Sequence, residues 1–319
     1  MSEKPDAPRA LVSTVVLHDR NGSYLDGCVR RLKAGGCAGE VTVVECAHAT
    51  VETASSVEQK NQAVARAHTD FVLLVSSMDL AEPECVQRLS DFMQSHSDVA
   101  GAGALLLAEN GWPRRSSMRF PSVWRFFDAL RRWLFALNPR AQRYGALRIE
   151  QEAQREVDAL PTSCVMIRRK AFEEVGQFER GCEFRFDDID WGWRARRKGW
   201  RLCIVPAARA FHVAPLLHGP IPVGVRLAYE QSVRRFLLRH RGGGYRALFW
   251  VSRMIGVAAT GACAALIAFL TAFRSHSAVE HFRGNLAVLR WRLSGCPDVE
   301  SVGAAEQTTR WEYAGWRAD

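Results

Sequence analysis

The chain has 319 residues, 48% hydrophobic and 24% charged, which is enough to bury one large α/β core or two smaller ones. Its nine cysteines are scattered with no C-x-x-C pair, which argues against a disulfide framework and for a reducing compartment. The formal net charge of +9 admits nucleic acid, anionic lipid or phosphorylated substrates, but without a helix-turn-helix, zinc-finger or RNA-binding signature nucleic acid is set aside as a partner.

The opening residues MSEKPDAPRA hold no apolar core and predict no conventional signal peptide. Ala10 to Leu17 is apolar and β-branched, which predicts a buried parallel strand. Tyr24 to Ala34 predicts a helix with Leu25, Cys28, Val29 and Leu32 on one face, ended by Gly35-Gly36. Strands are predicted at Glu40 to Glu45, Phe71 to Val75 and Val99 to Leu107. Helices are predicted between them at Val57 to His68 and Pro83 to Ser95, the latter with proline in its first turn. Strands alternating with helices imply right-handed crossovers and a mostly parallel sheet, with ligands at the carboxyl ends of its strands.

Residues 110–145 read as a basic, aromatic insertion that begins at the turn Asn110-Gly111. Within it, Trp124 to Leu137 predicts a helix rich in Trp, Phe and Arg. Such a helix either lies in a lipid headgroup layer or packs on the domain with its arginines in water.

Glu183 to His212 carries the densest signal. Asp187, Asp188 and Asp190 place three carboxylates within four positions. Asp187 or Asp188 can cap a helix whose last turn holds Arg196, Arg197 and Lys198 and which Gly199 ends. Asp190 and Arg194 are four apart and face each other, and Trp191 shares a buried stripe with Ala195. Acids at a helix start are often plain capping, but an ionised carboxylate fixed beside a cleft can also accept a proton from a hydroxyl. The run from Arg201 reads as a strand stopped by Pro206.

Tyr229 to His240 predicts a basic helix, and Arg241-Gly-Gly-Gly a breaker. Met254 to Phe273 has no charge over about twenty positions, just enough to cross a bilayer core. Arg253 and Arg274 bracket it, and Tyr245, Phe249 and Trp250 precede it as interfacial anchors would. It either meets a membrane, spanning it or embedded on one face, or forms a buried helix or dimer seam. His281 to Leu293 is a further basic amphipathic helix.

The segment 165–212 resembles inverting family 2 glycosyltransferases, especially bacterial rhamnosyltransferase-like members. The resemblance rests on Val165-Met166-Ile167-Arg168-Arg169, Ala171-Phe172, Val175-Gly176-Gln177-Phe178-Glu179, Asp187-Asp188-Ile189-Asp190, Arg194, Gly199-Trp200, Val205-Pro206 and His212. It implies a GT-A fold, a Rossmann-like mostly parallel sheet with C-terminal amphipathic and hydrophobic helices added. The expected division is a transferase domain at 1–215 and a helical membrane-associating region at 216–319. Within the first, 1–109 would bind the nucleotide and 146–215 the acceptor. The resemblance makes Asp188 the catalytic base, with Asp187 and Asp190 beside it. It puts Arg194 and His212, with Arg114 and Arg115, near the acceptor or the diphosphate. Asp19, Glu45, Asn61, Ser76 and Asp79 would contact the donor.

The chain departs from the family after its third strand. Where relatives place paired acids for a divalent cation, Mg²⁺ or Mn²⁺, it reads Val75-Ser76-Ser77-Met78-Asp79. Three readings stay open: a weak cation site built on Asp79 and His212, replacement of the cation by His212 and arginines including Arg20, or loss of donor binding. The implied activity is inverting transfer of a sugar, rhamnose being one choice, from a nucleotide-sugar donor to a lipid-linked or polysaccharide acceptor at the cytoplasmic face of the plasma membrane. The alternative is an inactive homologue acting as a scaffold in a polysaccharide-assembly complex, as a homo-oligomer or with other subunits.

Overall fold

The structure is a computed structural model that describes residues 12–19, 24–35, 41–46, 54–123, 155–180, 186–213, 223–271, 273–274 and 276–297. The chain divides into two compact units. The first comprises residues 1–120, 144–180 and 187–215, and the second 121–143, 181–186 and 216–319. The aromatic helix expected at Trp124 to Leu137 and the side chain of Arg20 lie outside the described residues.

In the first unit, strands β1 (Val12–Asp19), β2 (Val41–Cys46), β3 (Phe71–Ser76) and β5 (Val99–Ala108) alternate with helices α1 (Leu25–Ala34), α2 (Ala54–Arg66) and α3 (Cys85–Ser95). Runs such as Phe71–Ser76, buried at every position, form interior strands because both faces are covered by helices. Two further strands, β7 (Cys164–Arg168) and β8 (Arg201–His212), come from the second half, with helices α4 (Arg169–Val175) and α5 (Phe186–Arg197) between them. The sheet order is β2-β1-β3-β7-β5-β8-β4, where β4 is the short segment Asp79–Ala81, and β6 (Arg155–Glu156) pairs with β8.

The α/β class and the mostly parallel sheet agree with expectation. The strand β7, however, runs antiparallel between β3 and β5, and β4 and β6 are antiparallel to β8. Two local expectations are corrected. Helix α5 starts at Phe186, so Asp187 and Asp188 lie inside its first turn rather than at the cap. Pro206 does not stop β8: the pairing runs Ala104 with Val205, then Leu105 with Arg209. The proline is absorbed in a bulge of residues 206–208, where its missing N–H costs no ladder bond. Gly192 lets α5 lie close on the preceding segment, since a Cβ there would meet the carbonyl oxygen of Asp158 at 2.7 Å.

The second unit is helical: α6 (Val223–His240), α7 (Gly243–Leu270) and α8 (His276–Leu293). The glycines after Arg241 break α6 from α7, and Gly243 already belongs to α7. Val257, Gly261, Ala264 and Ala268 are the buried stripe of α7, and Gly261 abuts Asn285 of α8. Leu248, Val251, Ile255, Leu266, Phe269 and Leu270 are exposed. Helix α7, whose most apolar 18-residue window has a mean hydropathy of 1.8, is long and apolar enough to cross a membrane. Its 28 residues span about 42 Å against about 30 Å of hydrocarbon. Inside the three helices, the buried Glu230 of α6 receives Arg253 of α7 (Nε to Oε1, 3.0 Å) and Arg292 of α8.

Candidate active site

The carboxyl ends of β1 and β3 lie side by side, with Leu17 opposite Ser76. Ser77, just past β3, is buried; its N–H donates to Leu17 O (2.9 Å) and its Oγ lies 3.3 Å from His18 Nδ1. The Ser76 N–H donates to Ser163 O (2.7 Å), and its Oγ accepts from the Met78 N–H (3.3 Å). Asp19 and Glu45 end the adjacent strands β1 and β2 at this same edge, opposite Cys46 and His18 respectively. Their side chains lie outside the described residues.

Strand β4 then sets Asp79 opposite His212 in the antiparallel ladder. His212 Nδ1 and Asp79 Oδ1 are 2.6 Å apart; Asp79 is fully buried, and the histidine side chain is 16% exposed. Among the described residues, Asp79 Oδ2 is buried with no hydrogen-bond partner, a costly state for a carboxylate oxygen unless something binds it. No cluster of three or more His, Cys, Asp or Glu gathers there among the described residues. A hard cation on this pair therefore needs its remaining oxygens from substrate phosphates and water, which Mg²⁺ accepts. With a proton on Nδ1 shared toward Asp79, the Nε2 lone pair and Oδ2 are the two protein donors on offer.

The acids of α5 lie along the same edge. Asp188 Oδ2 accepts the N–H of Thr162 (3.1 Å), the residue before Ser163, which holds Ser76. All three acids are buried, Asp188 being 3% exposed. Each meets a cation. Lys60 Nζ contacts Asp187 Oδ2 directly and stands 3.7 Å from Asp188 Oδ1. Arg194 Nε donates to Asp190 Oδ2 (2.8 Å). The partial positive charge of the helix start favours the ionised acids further. Asp188 also borders an interior void of about 10 Å³, about the room of one water, with Thr162, Phe178, Trp191 and Leu202 around it. Access to this carboxylate from outside requires its covering neighbours to part.

Two expected ligands turn out to be engaged within the fold. Besides Asp190, Arg194 donates to Val175 O (2.8 Å) and Gln177 O (2.7 Å), so its guanidinium clamps a loop instead of facing a diphosphate. Asn61 spends its amide on Phe178, donating to the carbonyl and accepting the N–H, both at 2.9 Å. Arg114 is half-buried beside the end of β5, its N–H on Leu106 O, and Arg115 is exposed. Lys60, unforeseen, is the residue that sequence reasoning missed. The signal is its place three residues after Val57 and four before Val64, on the buried stripe of α2.

A family model described as glycosyltransferase like family 2 matches residues 9–228. Two curated proteins of Mycobacterium tuberculosis, from strains CDC 1551 / Oshkosh and ATCC 25618 / H37Rv, are 30% identical over 168 residues. Both are named N-acetylglucosaminyl-diphospho-decaprenol L-rhamnosyltransferase. The match covers 47% of this chain and 54% of theirs, so the chain spans about half the length of the curated relatives it matches. A crystal structure of GalNAc-T7 with UDP, GalNAc and Mn²⁺ is 13% identical, covering 72% of this chain and 48% of that one, with a TM-score of 0.46. The crystal structure of A197 from STIV is 10% identical, covering 63% and 86%, with a TM-score of 0.40.

Proposed function

We propose, from the premise that the chain belongs to glycosyltransferase family 2, that it moves a sugar with inversion from a nucleotide donor to a membrane-held, lipid-diphosphate-linked acceptor. The curated relatives, whose printed name gives such an acceptor and an L-rhamnosyl group, support this reading of the acceptor and suggest rhamnose as the sugar. The single observation that carries the catalytic part is the alignment of Asp188, Ser76 and the Asp79–His212 pair along one carboxyl edge of the sheet.

In this reading the donor lies across the ends of β1, β2 and β3, with Asp19 and Glu45 toward the nucleoside. Asp188 takes the proton of the acceptor hydroxyl. The resulting oxygen attacks the anomeric carbon on the face opposite the diphosphate, through an oxocarbenium-like state. Asp79 Oδ2 and His212 Nε2 would hold a divalent cation, which when bound neutralises charge on the diphosphate. Arg114, at the end of β5, adds positive charge where negative charge develops on the leaving group.

Calorimetry with a panel of nucleoside diphosphates tests the donor site. Binding is expected for at least one, tighter by about tenfold or more with Mn²⁺. Asp79→Asn is expected to abolish the cation's effect. An absence of binding with and without Mn²⁺ would remove the enzymatic reading and leave the scaffold one.

The membrane part rests on the exposed apolar side of α7. It implies a protein held at a membrane, and a reducing cytoplasmic face suits the six described cysteines, which form no disulfide among themselves. The intact chain is expected to float with anionic lipid vesicles. A variant carrying Val251→Asp, Ile255→Asp and Phe269→Asp, all exposed positions, is expected to stay at the bottom of the gradient. Equal flotation of both proteins would sink this assignment.

A further inference from the structure

We propose that Lys60 is a positioning residue for the transfer: its ammonium holds the Asp187–Asp188 pair ionised and fixes where Asp188 stands. The proposal rests on the reading of Asp188 as the base.

A lysine with its side chain 1% exposed is costly unless paired. Lys60 is placed among groups suited to it. Its Nζ contacts Asp187 Oδ2, stands 3.7 Å from Asp188 Oδ1, and lies 4.3 Å from the centre of the Phe178 ring. A ring face at that distance attracts a cation. The next residue, Asn61, binds the Phe178 backbone through two hydrogen bonds. One dipeptide of α2, on the expected nucleotide side, thus grips both the Phe178 loop and the first turn of α5.

The charge count explains why the grip matters. Asp187, Asp188 and Asp190 bring three negative charges, while Lys60 and Arg194 bring two positive ones. Lys60 touches Asp187 and stands 3.7 Å from Asp188, and Arg194 touches Asp190. Lys60 thus stands beside two like charges of a single helix turn. Among the described residues, Asp188 faces Lys60 from α2 and the Thr162 N–H from the segment before β7, with Asp187 on its own helix. Without the ammonium, Asp187 and Asp188 would face each other as like charges in a buried place. One would take up a proton at a higher pH, and the base would be lost from the lower part of the working range.

The test compares kcat–pH profiles of the full chain with Lys60→Met and Lys60→Arg, alongside nucleoside diphosphate binding. Lys60→Met is expected to lower kcat about tenfold near neutral pH and to move the acid limb up by about one pH unit. Its nucleotide affinity is expected to stay within about twofold. Lys60→Arg keeps a cation and is expected to keep the acid limb near its original position, although its fork fits the space less well. If Lys60→Met fails to fold, the comparison moves to Asp187→Asn. Removing the like charge there is expected to shift the acid limb down. An unmoved acid limb in the folded variant, whatever the loss of rate, overturns the proposal, because a merely structural lysine lowers activity without moving the profile. Failure of the underlying reading is seen separately, as an undiminished rate for Asp188→Asn in the otherwise unaltered chain.

Discussion

Asp188→Asn is expected to lower kcat by about 10²–10⁴-fold while the affinity for donor nucleotide changes by no more than about twofold. The substitution keeps the shape of the side chain, and the amide oxygen can still accept the Thr162 N–H, so the first turn of α5 keeps its anchor. What disappears is the ability to take a proton from the acceptor. On the proposed reading donor binding rests on the Asp79–His212 pair and the strand ends, which this change does not touch. Steady-state kinetics with both substrates, paired with calorimetry, separate the two effects. A rate within a few fold of the unaltered protein would remove Asp188 from the chemistry and direct attention to Asp187 or Asp190.

The second large effect is on stability and comes from the helical unit. Glu230→Gln is expected to cost about 3–5 kcal/mol, because it leaves Arg253 and Arg292 facing a neutral group in a buried place. Burial alone would push the Glu230 carboxyl up; the nearby charges of Arg253 and Arg292 outweigh it and hold the carboxyl below its ordinary value. The sign of the pH dependence follows. A depressed carboxyl contributes stability that is present above its unfolded value and is lost as pH falls through the folded one. The unaltered protein should therefore lose stability on acidification below about pH 4.5, the ordinary carboxyl range, and Glu230→Gln should lose less over the same interval. Denaturant titrations of both proteins at a series of pH values read this difference directly. Parallel curves would mean that the two arginines find other partners when the carboxylate is gone.

Much of the fold was legible because its strands are apolar, β-branched runs that chain periodicity exposes. β1, β2, β3 and β5 begin and end within a few residues of the expected positions. Pairing order was not legible. Nothing in the Val165–Ile167 run says that β7 will insert antiparallel between β3 and β5, because hydrophobic alternation specifies faces and not neighbours. β4 has three residues and β6 two, too short for any pattern. The site shows the same split. The resemblance names Asp79 and His212 as candidates, and strand register explains why they meet across 133 positions of sequence. Arg194 and Asn61 read as ligands because both are polar residues inside a motif. Their actual partners are loop carbonyls and amides near Phe178, and backbone groups leave no mark on the sequence. Lys60 escaped because a lysine on a helix is ordinarily solvated, and only the opposing acids, 127 positions away, make it a core residue.

The bulge in β8 has a consequence for how this site can vary among proteins. Ahead of it, Ala104 pairs with Val205; behind it, Ala108 pairs with His212, three places further along than an unbroken ladder would give. Flattening the bulge, with every residue kept, would slide Arg209 to the level now held by the imidazole, facing Asp79. The choice between a group that can ligate an ion and a guanidinium is thus set by whether the strand bulges there as well as by point substitution. On the proposed reading, loss of that bulge would be a route from ion-assisted departure of the leaving group to an ion-free one.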